Sequence, residues 1–373
     1  NMDPAQLRLK NIPQEGDRMP AYYNEPLSSS RLPQCIQRGM EMIGWKEKYP
    51  CVKIDERRVR GVGMAITMQG SGISAVDTAT VTIKLNDAGH YTLMIGATDM
   101  GTGCDTILAQ IAAEVLACPM ERITVAAVDT DHSPFDTGSY ASSTTYVTGK
   151  AVVMACTELV EKISSEGARR LGIHPERAEF DGDMVYDRTD PAKSITLNSL
   201  AEALVVGQGT QWLTATASNC SPTSPPPLMA GFAEVEVDLE TGEAKVTDYV
   251  GVVDCGTVVN KNLARVQTEG GIAQGIGMAL LEDVQYDGRG QMVNNSFMQY
   301  KIPCRTDLPQ LRVEFEESYE PNGPFGAKSI GEVVINTPSP AVAQAVYNAT
   351  GVRVRSLPIT AEKILLGRKD KLG

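Results

Sequence analysis

Apolar residues recur along this chain with two periods, and the changes of period divide it. Behind Asp3-Pro4, residues Ala5 to Lys10 read as a short helix, and Leu32 to about Lys48 as a second, with Pro- and Gly-bearing loops between. This stretch has too few apolar positions for a core of its own, so residues 1–58 read as an arm that packs on something else. From Gly61 the period shortens to two. Val81 to Leu85 alternates, Asn86 to Gly89 turns, and Tyr91 to Ile95 returns. That hairpin runs into the loop Gly96 to Gly103. The helical period then reappears: Ile107, Leu108, Ile111, Ala112, Val115 and Leu116 share one face of a helix over Asp105 to Leu116. A strand over Ile123 to Val128, a polar loop from Asp129 to Ser143 and a helix over about Thr144 to Arg169 follow.

A second hairpin pairs Ala233 to Leu239 with Ala244 to Val253 around the turn Glu240 to Glu243. It ends in the loop Asp254 to Asn260 and feeds a helix at about Leu263 to Leu281. The shared order of hairpin, loop and helix hints at a duplicated plan. Between Glu202 and Glu234 no residue is charged, and Ser, Thr and Pro abound around Trp212. That stretch is either partly buried, against a partner chain or along a channel, or a flexible linker. The patterns together describe an α+β chain: an arm (1–58), a first α/β subdomain (59–232) and a second (233–373).

Composition narrows the function. A net charge of -12 and a pI near 4.9 exclude the basic face that nucleic acid or an anionic membrane needs. The eight cysteines stand apart with no CxxC pair, and the three histidines, His90, His132 and His174, show no ligand spacing. Reduced thiols in the cytosol are the simplest account, and a metal here is not expected to be held by side chains of this chain alone. No apolar run reaches the ~18–20 residues that span a bilayer. The N-terminal residues lack the plan of a secretion signal, and without an initiator Met the chain reads as trimmed or as part of a longer precursor.

Four segments carry candidate chemistry. In GPFGAKSIGE, Gly323 to Glu332, one carboxylate ends a glycine-rich loop crowded by Phe325, Ala327 and Ile330, with Lys328 as the other ionisable group. Such a carboxylate is either desolvated enough to serve as a general base or simply solvated at the surface. Met100-Gly101-Thr102-Gly103 lies between strand and helix, as an anion site or as a plain tight turn. The hydroxyl-rich loop Ser139 to Thr145 precedes a helix, where it either binds a phosphate or polar heterocycle or merely caps the helix; Tyr140 within it is a candidate to meet a ring. Val266 to Glu282 holds four glycines in a helical pattern, with Gln267 and Gln274 as uncharged donors and acceptors. Each glycine costs about 1 kcal/mol relative to Ala, so a tight helix crossing or a bulky ligand is expected to compensate.

These segments, in this order, resemble the xanthine dehydrogenase/aldehyde oxidase family of molybdenum hydroxylases. The likeness is to the C-terminal half of the molybdenum-binding subunit and runs from DPAQLRLKN to PITAEKI. It implies the fold of the second molybdopterin-binding domain, with two α/β subdomains and mixed sheets. By the same resemblance Glu332 is the catalytic base and Gly331 its neighbour beside the metal. Gly101 to Gly103 touch the pterin dithiolene, Ala141, Ser142, Ser143 and Thr144 bind the cofactor's phosphate and ring, and Gln267 contacts the pterin. The cofactor implied is molybdopterin, plain or as its cytosine dinucleotide, with molybdenum held by the pterin sulfurs. Glu332 then takes a proton from a metal-bound hydroxide whose oxygen attacks an electron-poor carbon.

Two departures stand out. Thr102 occupies a position where many members have Gln. The family's first-half motifs, Gly-Gly-Phe-Gly and Ala-Phe-Arg-Gly, occur nowhere in the sequence. The chain therefore resembles the second member of a split pair, with the arm completing a domain of the chain that carries the first half. An iron–sulfur subunit with 2Fe-2S clusters and a flavin subunit with FAD complete the expected cytoplasmic complex. The substrate expected is an N-heteroaromatic of purine or pyridine carboxylate type. An aldehyde or aromatic acyl-thioester substrate, a non-catalytic scaffold role and a nucleotide-binding module are the alternatives.

Overall fold

The structure is a computed structural model that describes residues 2–206 and 211–372, with side chains described through residue 368. In chain order it contains α1 (Pro4–Asn11), β1 (Arg18–Met19), β2 (Glu25–Pro26), α2 (Leu32–Ile43), α3 (Trp45–Lys48), β3 (Cys51–Lys53) and β4 (Arg58–Met68). Next come β5 (Thr78–Leu85), β6 (Tyr91–Ile95), α4 (Cys104–Leu116), β7 (Ile123–Ala127), α5 (Thr144–Leu171), β8 (Ala178–Phe180), β9 (Met184–Asp187), β10 (Asp190–Thr196), α6 (Leu197–Val205) and β11 (Thr214–Cys220). The chain closes with β12 (Leu228–Asp238), β13 (Ala244–Asp254), α7 (Lys261–Leu280), β14 (Gln310–Phe315), α8 (Pro338–Thr350) and α9 (Ala361–Leu372). These elements form two compact units that are discontinuous in sequence. The first comprises residues 1–69, 226–318 and 330–373, the second 70–225 and 319–329, so the divisions fall elsewhere than at 58 and 232.

The first unit is built on a sheet ordered β14-β13-β12-β4-β3, antiparallel except that β14 runs parallel to β13. Successive residues of a strand point to opposite faces, and here both faces are covered. Leu228, Ala230 and Phe232 join the apolar cluster of the arm with Ile36, Ile43 and Trp45. Met229, Ala233 and Val235 join the opposite cluster with Ile272 of α7 and Val342 and Val346 of α8. The arm thus packs on this chain's own sheet. Trp45 stacks on Tyr49 at 4.5 Å, meets Phe232 edge-on, and donates its indole N–H to Asp3 at 2.8 Å. Asp3 also caps α1 through Ala5 N. On the other face α8 lies directly over β4. A Cβ at Gly61 would stand 2.0 Å from the Ala345 carbonyl, and one at Gly63 2.2 Å from that of Ala341.

The second unit is built on a sheet ordered β11-β5-β6-β7, with β7 parallel to β6. The alternation of β5 buries Ala79, Val81, Ile83 and Leu85, and α5 packs against β5 and β11. The charge-free stretch contains β11, an edge strand without sequence signal. Its outer face bears hydroxyls instead of charges: Thr82 pairs with Thr216 and Thr80 with Ser218, each at 2.8 Å. Ser224 to Ala230 of the same stretch are buried, while Trp212 is exposed and residues 207–210 lie outside the described set.

Each unit repeats one succession: antiparallel hairpin, loop, helix, a strand parallel to the hairpin's second strand, a long loop, and a helix across the sheet. The first occurrence is β5-β6-α4-β7-α5, the second β12-β13-α7-β14-α8. The long loops preceding α5 and α8 are the ones that hold Ser139 to Ser143 and Gly323 to Glu332. Among the described residues no helix is long and apolar enough to cross a membrane.

Candidate cofactor and catalytic site

Glu332 is exposed, but its flanks are not. Ala327, Lys328 and Ser329 before it and Val333 and Val334 after it are buried to within 2%. The loop itself therefore does not desolvate the carboxylate; it fixes where the carboxylate stands. In the first unit, α7 seats the downstream flank. A Cβ at Gly271 would lie 2.4 Å from the Val334 side chain, and one at Gly275 2.7 Å from Pro338. Gly271 and Gly275 are thus spent on close packing against the segment that follows Glu332, Gly277 makes room for Glu282 and Pro303, and Gly270 faces open space. Gln267, half-buried, lies on the same helix within one turn of Gly270 and Gly271. The Gln69 side-chain amide nitrogen donates to Glu332 Oε2 at 3.4 Å. No sequence pattern pointed to Gln69; its one signal is a polar residue between the end of β4 and Gly70.

In the second unit, the loop before α5 is strained. Ala141 (φ 49°) and Ser142 (φ 56°) both occupy the left-handed region, which a non-glycine residue adopts at a cost of order 1–3 kcal/mol. The backbone is held there by its carbonyls. Gly72 N donates to Ala141 O at 2.8 Å, and the Ser329 hydroxyl donates to Ser142 O. Ser143 donates its hydroxyl to Gly138 O at 2.8 Å and Thr144 to Ser139 Oγ at 2.9 Å, so no side chain caps the 28-residue helix α5. With carbonyls engaged and the helix start uncapped, the loop fits an oxygen-rich, anionic group such as the phosphate of a pterin cofactor. Tyr140 is partly exposed, and its phenol is pushed above the ordinary value chiefly by its hydrogen bond toward the buried Asp77 carboxylate.

The loop Met100 to Gly103 belongs to the same unit, and its backbone N–H groups are already taken. Asp99 accepts from Gly101 N at 2.9 Å and from Gly103 N at 3.0 Å. A carboxylate the sequence reading overlooked fills the position an anion would take. What the loop offers outward is the exposed Met100 side chain, the Thr102 residue, and open space at Gly101. Asp99, Cys104 and Asp105 place ligand atoms within 4.8 Å of one another. The Cys104 thiol is pushed up to about 12, first by burial and then by the neighbouring carboxylates, so it keeps its proton. Asp99 of this trio serves as the cap of the loop. By unit, then, Met100 to Gly103 and Tyr140 to Thr144 belong together, as do Gln267, Gly331 and Glu332.

The mixed α/β fold with mixed sheets is that of a molybdenum hydroxylase large subunit. Residues 38–309 match the family model described as the molybdopterin cofactor-binding domain, and the chain belongs to that family. It corresponds to the C-terminal part of the large subunit in the xanthine dehydrogenase/aldehyde oxidase group. It is 36% identical over 339 residues to the probable hypoxanthine oxidase XdhD of Escherichia coli K12, covering 91% of this chain and 35% of that protein. To the aldehyde oxidoreductase molybdenum-binding subunit PaoC of the same strain it is 33% identical, over 100% of this chain and 48% of PaoC. The structure superposes on quinoline 2-oxidoreductase from Pseudomonas putida 86 with a TM-score of 0.87 and 26% identity, over 99% of this chain and 50% of that one. The chain thus spans half or less of the length of these relatives.

Proposed function

We propose that this chain supplies the proton acceptor and part of the molybdopterin cradle of a hydroxylase acting on an N-heteroaromatic such as a purine or pyridine carboxylate. The observation that carries the reading is Glu332, an exposed carboxylate between buried flanks in a domain of the molybdopterin-binding family. Ala141 to Thr144 would hold the cofactor's phosphate and ring, Gly101 to Gly103 and Gln267 its pterin, and Gly331 the metal's neighbourhood. When bound, the molybdenum centre supplies the two-electron redox chemistry. Glu332 accepts the proton that the oxygen nucleophile, derived from water, must lose before it attacks an electron-deficient ring carbon.

The polypeptide that carries the remainder of the relatives' length would close the pocket over the exposed carboxylate. Iron–sulfur and flavin subunits would carry electrons away. Among the described residues no disulfide joins the eight cysteines, which suits assembly in a reducing cytosol. The names hypoxanthine oxidase and quinoline 2-oxidoreductase favour a ring substrate. PaoC, an aldehyde oxidoreductase subunit, supports an aldehyde as the second reading.

In the assembled enzyme, Glu332→Gln keeps the shape of the side chain and removes its basicity. Turnover of the preferred heteroaromatic is expected to fall by ~10²–10⁴-fold with the cofactor still bound. Turnover near that of the unsubstituted enzyme would reject the assignment. Comparing purines, pyridine carboxylates and aldehydes as substrates decides between the two substrate readings.

A further inference from the structure

We infer that Gln69, Ser71 and Ser329 are positioning residues that form a two-point tether holding Glu332 in place; this rests on the reading of Glu332 as the proton acceptor. In the first unit, Gln69 N–H donates to Pro227 O at 3.3 Å and its carboxamide reaches Glu332 Oε2 at 3.4 Å. In the second unit, Ser71 N–H donates to Ser224 Oγ at 3.1 Å, while the Ser71 hydroxyl donates to Pro225 O at 2.6 Å and accepts from Ser329 N–H at 3.1 Å. Ser224 in turn donates its hydroxyl to Gly72 O at 2.6 Å, and Ser329 donates its own to Ser142 O. Within the first unit, then, Gln69 bonds Glu332, and within the second Ser71 bonds Ser329.

The two grips differ in kind. Ser71, Ser224 and Ser329 are each at most 1% exposed, and their hydroxyls are all paired. A satisfied buried network of this sort specifies one backbone geometry, because any shift would strand a polar group away from water. Within the second unit it also joins Ser329 to the strained carbonyl of Ser142. Gln69 acts on the side chain itself. A neutral amide N–H favours the ionised form of a carboxylate and cannot take the proton that Glu332 is to accept.

The test uses the assembled enzyme. Gln69→Met keeps the side-chain length and removes the donor; Gln69→Glu keeps the shape and places a like charge against Glu332. Losing a hydrogen bond to a charged group predicts a roughly tenfold lower kcat for Gln69→Met with KM nearly unchanged, and a larger loss for Gln69→Glu, at unaltered thermal midpoints. Hydrogen exchange reads the serine grip without reference to turnover: Ser71→Ala is expected to speed amide exchange across 327–335 at least about tenfold while β12 stays protected. Because Ser71→Ala can fail to fold, Ser329→Ala, which deletes only the bond to Ser142 O, is measured beside it with the same expectation. The tether is overturned if Glu332→Gln abolishes turnover while both Gln69 variants keep full kcat, or if exchange across 327–335 is unchanged in the folded serine variants. Full activity of Glu332→Gln would instead reject the proton-acceptor reading and leave the exchange result to judge the tether.

Discussion

Single residues carry the chemistry of this chain, and their legibility in the sequence was uneven. Glu332 stood out because it is the one carboxylate in a glycine-rich loop. Asp99 and Gln69 did not, because a side chain that reaches a backbone N–H or a distant carboxylate leaves no periodic trace. Asp187 is a similar case, with consequences for stability. It is buried in the small β10-β9-β8 sheet, and burial alone would raise its affinity for a proton. The Thr189 N–H and hydroxyl and the Arg177 guanidinium outweigh that and bring it from the ordinary 3.8 down to about 2. A carboxyl with a depressed folded-state value stabilises the fold fully above its unfolded value, and the contribution is lost as pH falls through the folded one. The difference in unfolding free energy between the natural protein and Asp187→Asn is therefore expected to be flat above about pH 4 and to shrink between pH 4 and 2. Urea titrations at stepped pH would show this; a difference that does not change over that window counts against the pairing.

At the scale of elements, amphipathic helices and hairpins were legible because their apolar periods are strong. The helices over Asp105 to Leu116 and Thr144 to Arg169 and both hairpins lie where the periods put them, within a few residues at the ends. The edge strand β11 was hidden because its exposed positions are Thr and Ser, which carry no contrast with a polar loop. The parallel partners β7 and β14 are set by crossovers, and local sequence does not encode which edge a strand joins. The glycines of β4 make sense only with α8 in place, since Gly63 leaves room for the backbone of Ala341 and Ala345. Gly63→Val would press a branched side chain into backbone that cannot step aside. A loss of about 1–3 kcal/mol or more is expected in denaturant unfolding. Turnover should fall with it, because α8 begins just after Glu332. An equally branched change at the open Gly270 tests α7 instead, and there only the helix propensity is at stake.

At the scale of the whole molecule, the duplicated succession puts one long loop ahead of the helix packed on each sheet, although residues 319–329 of the loop before α8 belong to the second unit. One of these loops offers the uncapped, strained backbone before α5; the other offers Glu332 before α8. On the reading proposed above, the same architectural position would serve ligand holding ahead of α5 and proton transfer ahead of α8. The strained residues Ala141 and Ser142 are held by hydrogen bonds to their carbonyls, and on that reading a bound cofactor would add to the loop's rigidity. A ligand that binds only the folded state stabilises it by RT ln(1 + [L]/Kd), about 4 kcal/mol at a thousandfold excess over Kd. The assembled enzyme, made in a host unable to synthesise molybdopterin, is accordingly expected to fold but to melt several degrees lower. Its faster amide exchange should concentrate at residues 96–103 and 139–145, while β12 and β13 keep their protection. Identical melting and exchange with and without molybdopterin would mean that these loops do not hold the cofactor, whatever the activity of the loaded enzyme.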